Sequence, residues 1–179
     1  MTEVTADTPQ VLLRHHLKKL KLPTILRDYE KIARQCAEEN TDFVTFLLRL
    51  VERELLEREG RMIERRIRDA KFPAIKSWES FNFDAIPSLN KKMVLELARG
   101  EFVSRRENLI ALGPSGVGKT HISLGIGLAA CQKGVKTRFA TAAAIVHEMI
   151  EARDEKRLLR FQKQLASVEL LIIDELGFV

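Results

Sequence analysis

Between Gly113 and Thr120 the sequence reads GPSGVGKT, and each fixed position of that pattern has a physical reason. Gly113, Gly116 and Gly118 carry no Cβ, so the backbone there can turn its N–H groups inward onto a polyanion. Pro114, Ser115 and Val117 complete the loop between them. Lys119 adds a point charge suited to the β- and γ-phosphates of a nucleoside triphosphate, and Thr120 offers a hydroxyl to Mg²⁺. His121 stands in the first turn of the helix that has to begin here, and the positive dipole end of that helix favours the same anions. The stretch from Gly113 to His121 is therefore a candidate phosphate cradle.

A second constellation, Leu170-Leu171-Ile172-Ile173-Asp174-Glu175, lies about 55 residues beyond Lys119. Four apolar residues read as a buried strand whose end delivers a carboxylate to the magnesium side of the cradle. Asp174 would orient Mg²⁺ through water. Glu175, directly after it, is placed to polarise an attacking water as general base, which favours hydrolysis over transfer to a small-molecule acceptor. Lys119 and Glu175 are thus the candidate catalytic residues, Thr120 and Asp174 the candidate metal ligands, and ATP with Mg²⁺ the expected cofactors. His15, His16, His121 and His147 lack metal-ligand spacing, and Cys36 and Cys131 form no CxxC pair. His121 is better suited to packing or capping than to catalysis.

These groups need elements to hold them. Asn108 to Leu112 reads as the strand that enters the loop and His121 to Gln132 as the helix that leaves it. A strand around Val135 to Phe139, one or two helices from Ala142 to about Leu165 and a strand from Leu170 to Ile173 follow. Helices alternating with all-apolar strands predict an α/β fold, a parallel sheet with helices on both faces.

The N-terminal part is helical throughout. Leu13, Leu17 and Leu20 mark a first helix ending before Pro23, and Ile25, Tyr29, Ile32 and Cys36 mark a second. A long third helix, capped by Asn40 or Thr41, carries Phe43, Phe46, Leu47, Leu50, Val51, Leu55, Met62, Ile63 and Ile67 on its expected core side. Its charged residues are acidic from Glu52 to Glu59 and basic at Arg61, Arg65, Arg66 and Arg68, then Lys71 and Lys76. That pattern suits a solvated face with pairs such as Glu57–Arg61 and Glu64–Arg68, and equally a phosphate-facing patch. Pro73 ends the helix. The punctuated stretch from Lys76 to Leu89 reads as an ordered linker, in which Trp78, Phe81 and Phe83 wedge against a core more readily than they clasp an adenine. The expected division is a helical domain at 1–75 and a nucleotide-binding core at 76–179.

Composition is permissive rather than decisive. A chain of 179 residues, 45% apolar and with a formal charge of +5, can bury a core and attract polyanions. It has no apolar run of membrane-spanning length, and its first residues (MTEVTADTPQ) do not form a secretory signal, so the cytoplasm is expected.

The sequence resembles a known family, the IstB-like ATP-binding proteins, AAA+ helpers of insertion-sequence transposases related to DnaC-type helicase loaders. The likeness spans nearly the whole chain: LKKLKLPTIL at Leu17 to Leu26, RRIRDAKFP at Arg65 to Pro73, FNFD at Phe81 to Asp84, ENLIALGPSGVGKTH at Glu107 to His121, and LLIIDELGF at Leu170 to Phe178. The resemblance implies an AAA+ ATPase that oligomerises on double-stranded DNA and helps a transposase select or engage its target. It makes Arg65, Arg66 and Arg68 candidate contacts to DNA or a neighbouring subunit. The alternatives are a loader of a replicative helicase and a non-hydrolysing nucleotide-binding fragment. Family members continue past the acidic motif with a sensor strand and a lid-side arginine, so the AAA+ core is expected to be C-terminally incomplete at Val179.

Overall fold

The structure, a computed structural model, describes residues 8–87 and 89–178. The chain divides into two compact units, residues 1–62 and 63–179.

The first unit is built on α1 (Thr8–Lys19), α2 (Pro23–Glu38) and the beginning of α3 (Phe43–Asp69). Leu17, Ile25, Ile32, Cys36 and Leu50 form its core, with Leu22, Leu26, Tyr29 and Phe46 packed around them. Pro23 opens α2, where its missing N–H costs nothing, but Leu22 in the capping position has no side chain able to accept from the first turn. Glu54 of α3 does this instead. Its Oε2 accepts from Thr24 N at 2.8 Å and Ile25 N at 3.2 Å, while Oε1 meets Arg61 at 3.2 Å and Arg58 at 3.4 Å. Burial pushes the Glu54 carboxyl up, yet the two backbone N–H groups and the two guanidinium groups outweigh burial, and the net shift is downward.

Two expectations for α3 are corrected here. Asp42, not Asn40 or Thr41, caps it, accepting from Val44 N at 2.9 Å and Thr45 N at 3.0 Å. Of its expected core residues only Leu50 is buried; Phe43, Leu47, Val51, Leu55 and Met62 are exposed. The reason is geometric: α3 meets α1 and α2 along the line through Phe46, Leu50 and Glu54, and a helix that is apolar over more than one stripe cannot bury every stripe against one neighbour. Of the pairs expected along α3, Glu57–Arg61 forms at 3.6 Å, and Glu64–Arg68 does not form.

In the second unit two 3₁₀ turns (Trp78–Ser80 and Phe83–Ala85) and the short helices α4 (Lys91–Leu97) and α5 (Glu101–Ser104) precede the sheet-bearing core. That core runs α6 (Lys119–Gln132), β1 (Thr137–Thr141), α7 (Ala142–Asp154), α8 (Leu158–Ala166), β2 (Leu170–Asp174) and a closing 3₁₀ turn, Leu176–Phe178. β1 and β2 pair in parallel, with Thr137 opposite Leu170 and Thr141 opposite Asp174. Successive strand residues face opposite ways. Phe139 accordingly packs with Leu124 of α6 and Ile172, while Arg138 on the other face pairs with Glu148 of α7 and lies 5.8 Å from the Phe161 ring of α8. β1 is thus covered on both faces. The expectation of helices on both faces of the sheet fails for β2, where Ile172 is buried beneath α6 but Leu171 and Ile173, which point the other way, are exposed, because α7 and α8 pack over β1.

The expected strand from Asn108 to Leu112 is not formed. A strand exists only with a hydrogen-bonded neighbour, and among the described residues the sheet consists of β1 and β2 alone. Ile110 and Leu112 are 75% and 88% exposed.

Candidate functional site

The loop takes its shape from its glycines. Gly116 and Gly118 have φ of 80° and 87°, in the left-handed region that a Cβ disfavours, and Gly118 is the residue from which α6 starts. Gly113 to Gly116 are exposed to solvent. Lys119 folds back over the loop, its Nζ donating to Gly113 O at 2.7 Å and Pro114 O at 2.6 Å. Lys119, Thr120 and His121 are the first three residues of α6, so their N–H groups have no acceptor within the helix and are available to an anion.

The second motif arrives on β2. Asp174, its last residue, accepts a 2.7 Å hydrogen bond at Oδ2 from the Thr120 hydroxyl. Oδ1 of Asp174 accepts from Glu175 N at 3.0 Å, and Glu175 itself has a φ of 59° and is exposed. A hydroxyl and a carboxylate side by side are oxygen donors of the kind a hard divalent cation takes. Among the described residues no group of three or more His, Cys, Asp and Glu side chains offers a cation site formed by protein alone. The donor set thus fits a magnesium ion that shares its ligands with nucleotide phosphates and water.

His121 faces away from the loop's interior. Its Nε2 lies 3.3 Å from Ser77 O and 3.4 Å from Ser80 Oγ, and its ring meets Phe81 edge-on at 4.9 Å. Phe81 and Ile86 lie against Gly118: a Cβ built there would come within 3.1 Å of Phe81 Cε2 and 3.7 Å of Ile86 Cδ1. Trp78 likewise covers Gly125, and stacks on Phe83 at 6.5 Å. The linker aromatics therefore wedge onto α6. Their density is visible in the sequence, but the pairing of Phe81 with Gly118 is not, because it joins residues whose separation follows no local period.

The same residues fall within a stretch shared with known proteins. Residues 15–179 match the family model described as IstB-like ATP binding protein. The chain belongs to this family. An ATP-binding protein of insertion sequence IS5376 from Geobacillus stearothermophilus is 34% identical to this IstB-like chain over 167 residues, 93% of the chain and 66% of the relative. Its counterpart from IS21 of Pseudomonas aeruginosa is 34% identical over 163 residues, 91% of the chain and 62% of the relative. The IstB-like chain thus spans less than two thirds of the length of either relative. No helix among its described residues is long and apolar enough to cross a membrane.

Proposed function

We propose that this chain binds ATP with Mg²⁺ in the Gly113–His121 loop and hydrolyses it as an AAA+ ATPase of an insertion sequence. In this reading it assembles with further copies on double-stranded DNA and assists a transposase in selecting or engaging its target. The observation that carries the nucleotide reading is the 2.7 Å Thr120–Asp174 hydrogen bond, which joins two motifs 54 residues apart that are useful together only at a metal-bound triphosphate. Kinship with ATP-binding proteins of insertion sequences supports the biological setting.

The residues divide the work simply. The loop N–H groups and Lys119 take the phosphate oxygens, Lys119 exchanging its two carbonyl acceptors for them. Thr120 and Asp174 hold the magnesium ion, which when bound supplies charge neutralisation at the transferring phosphate. Glu175 accepts the proton of the attacking water. On the DNA side, Arg61 is engaged with Glu54 and Glu57, so the candidate phosphate contacts narrow to Arg65, Arg66 and Arg68.

The test is calorimetric. Lys119→Ala should abolish measurable ATP binding with helix content unchanged by circular dichroism, and the parent should release phosphate from ATP without any acceptor. Equal nucleotide affinity in parent and variant would refute the site.

A further inference from the structure

Glycine-rich loops are costly to order, and whatever ordering is left to the moment of binding is subtracted from affinity. Gly116 and Gly118 both need left-handed backbone, and the loop is exposed from Gly113 to Gly116, so its shape depends on what grips its ends. At the α6 end that grip comes from the linker. Gly118, His121 and Gly125 fall three and four residues apart, one stripe on α6, and each is met by the turn from Ser77 to Phe83. Phe81 lies on Gly118, the Ser77 carbonyl and Ser80 hydroxyl on His121, and Trp78 on Gly125, where a Cβ would come within 2.9 Å of the indole. The turn is itself fastened: Phe81 is buried, meets Phe83 edge-on at 4.7 Å, and Ser80 Oγ donates to Ser77 O at 2.8 Å.

We propose that Phe81 and His121 are positioning residues for the phosphate loop, clamping the Gly118–His121–Gly125 stripe and so fixing the left-handed turn from which Lys119 and Thr120 project. The inference rests on the ATP-site reading and adds to it that phosphate affinity is set in part from the linker side, by groups that touch no phosphate. A clamp of this kind acts on the triphosphate and is indifferent to the base.

The experiment compares binding of ATP and of inorganic tripolyphosphate, each with Mg²⁺, to the parent chain, Phe81→Leu and His121→Ala by calorimetry, with emission of Trp78, the single tryptophan, followed in the same titrations. Losing the Phe81–His121 edge-to-face pairing, common to both variants, should weaken ATP and tripolyphosphate by the same factor within each variant, at least about three- to tenfold. Tripolyphosphate should also shift the Trp78 emission of the parent, and less so in the variants. Should Phe81→Leu fail to fold by circular dichroism, His121→Ala, at a partly exposed position, decides alone. Weakening of ATP with tripolyphosphate unaffected would overturn the clamp in favour of base contact, and unchanged affinities in a folded variant would overturn it outright. Failure of the parent to bind either ligand would overturn the ATP-site reading and the clamp with it.

Discussion

The Thr120 hydroxyl and the Asp174 carboxylate meet at 2.7 Å, one at the start of α6 and the other at the end of β2. With Lys119 turned onto Gly113 O and Pro114 O, the site satisfies its own charges internally. Binding a magnesium nucleotide exchanges these interactions for phosphate and metal ligation. Asp174→Asn should therefore remove most of the gain in ATP affinity that Mg²⁺ confers while leaving affinity in EDTA little changed. Titrations with and without Mg²⁺ check this, and an undiminished Mg²⁺ effect would dismiss Asp174 as a ligand.

Glu175 stands beside that pair without entering it, offering a carboxylate to solvent. Glu175→Gln should keep nucleotide affinity and lower the phosphate release rate by about 10² to 10⁴, the range for loss of a general base. A variant that releases phosphate at the parental rate would assign the base elsewhere.

Asp28 gives the first unit a pH dependence. Arg27, hydrogen-bonded at 2.8 Å, outweighs the opposing effect of burial and, with Arg53 at 2.7 Å, lowers its pKa from 3.8 to about 2. A carboxylate lowered in the folded state stabilises fully above its unfolded pKa and loses that contribution as pH falls through the folded one. The parent should lose stability between about pH 4 and pH 2, and Asp28→Asn should lose less over that window when melts are followed by circular dichroism. Both arginines are about half exposed, 56% and 51%, so the effect is screened and should shrink with added salt.

The basic end of α3 makes a different kind of prediction. Arg65 and Arg68 are exposed, Arg65 in a 3.7 Å pair with Asp69. If they neutralise DNA phosphates, replacing both with Gln should flatten the plot of log K against log salt by about 0.9 for each phosphate no longer neutralised. An unchanged slope would make this a solvated face.

The parts legible in the sequence are those whose chemistry is fixed by residue type at fixed spacing. Glycines, Lys119 and Thr120 are assignable because few other residues can cradle phosphate, and Asp174 because an apolar strand leads to it. Cys36 is legible too, by helical period. What the sequence hides are partnerships without a period. Glu54 reads as one glutamate of an acidic run, yet it caps a helix that starts 31 residues earlier, at Pro23. α3 carries apolar residues on more than one stripe, and only packing against α2 decides which is buried. Glu54→Ala should cost about 1 to 3 kcal/mol for each of the Thr24 and Ile25 N–H groups left without an acceptor, measurable by urea unfolding.

Asn108 to Leu112 shows the same limit most plainly. Its composition is that of a buried strand, but strand formation depends on a neighbour that composition cannot supply. In the structure this segment joins no sheet, and Ile110 and Leu112 lie in solvent, while Phe139 and Ile172, later in the chain, are buried in the paired strands. Amide protons protected by a strand ladder exchange only through opening, whereas those without a partner exchange from the folded state. Hydrogen exchange of the 179-residue chain should therefore show the amides of Leu109 to Leu112 unprotected and those that bond between β1 and β2 protected. The relatives are longer than this chain, and a version extended with the part of the IS5376 relative that this chain does not cover supplies further chain that could pair with the segment. Protection of Leu109 to Leu112 should then rise, ATP affinity should rise with it because the loop's entry is anchored, and a cooperative melt should move upward. Equal protection of this segment in the short and the extended chains would show that the loop needs no strand on its entry side.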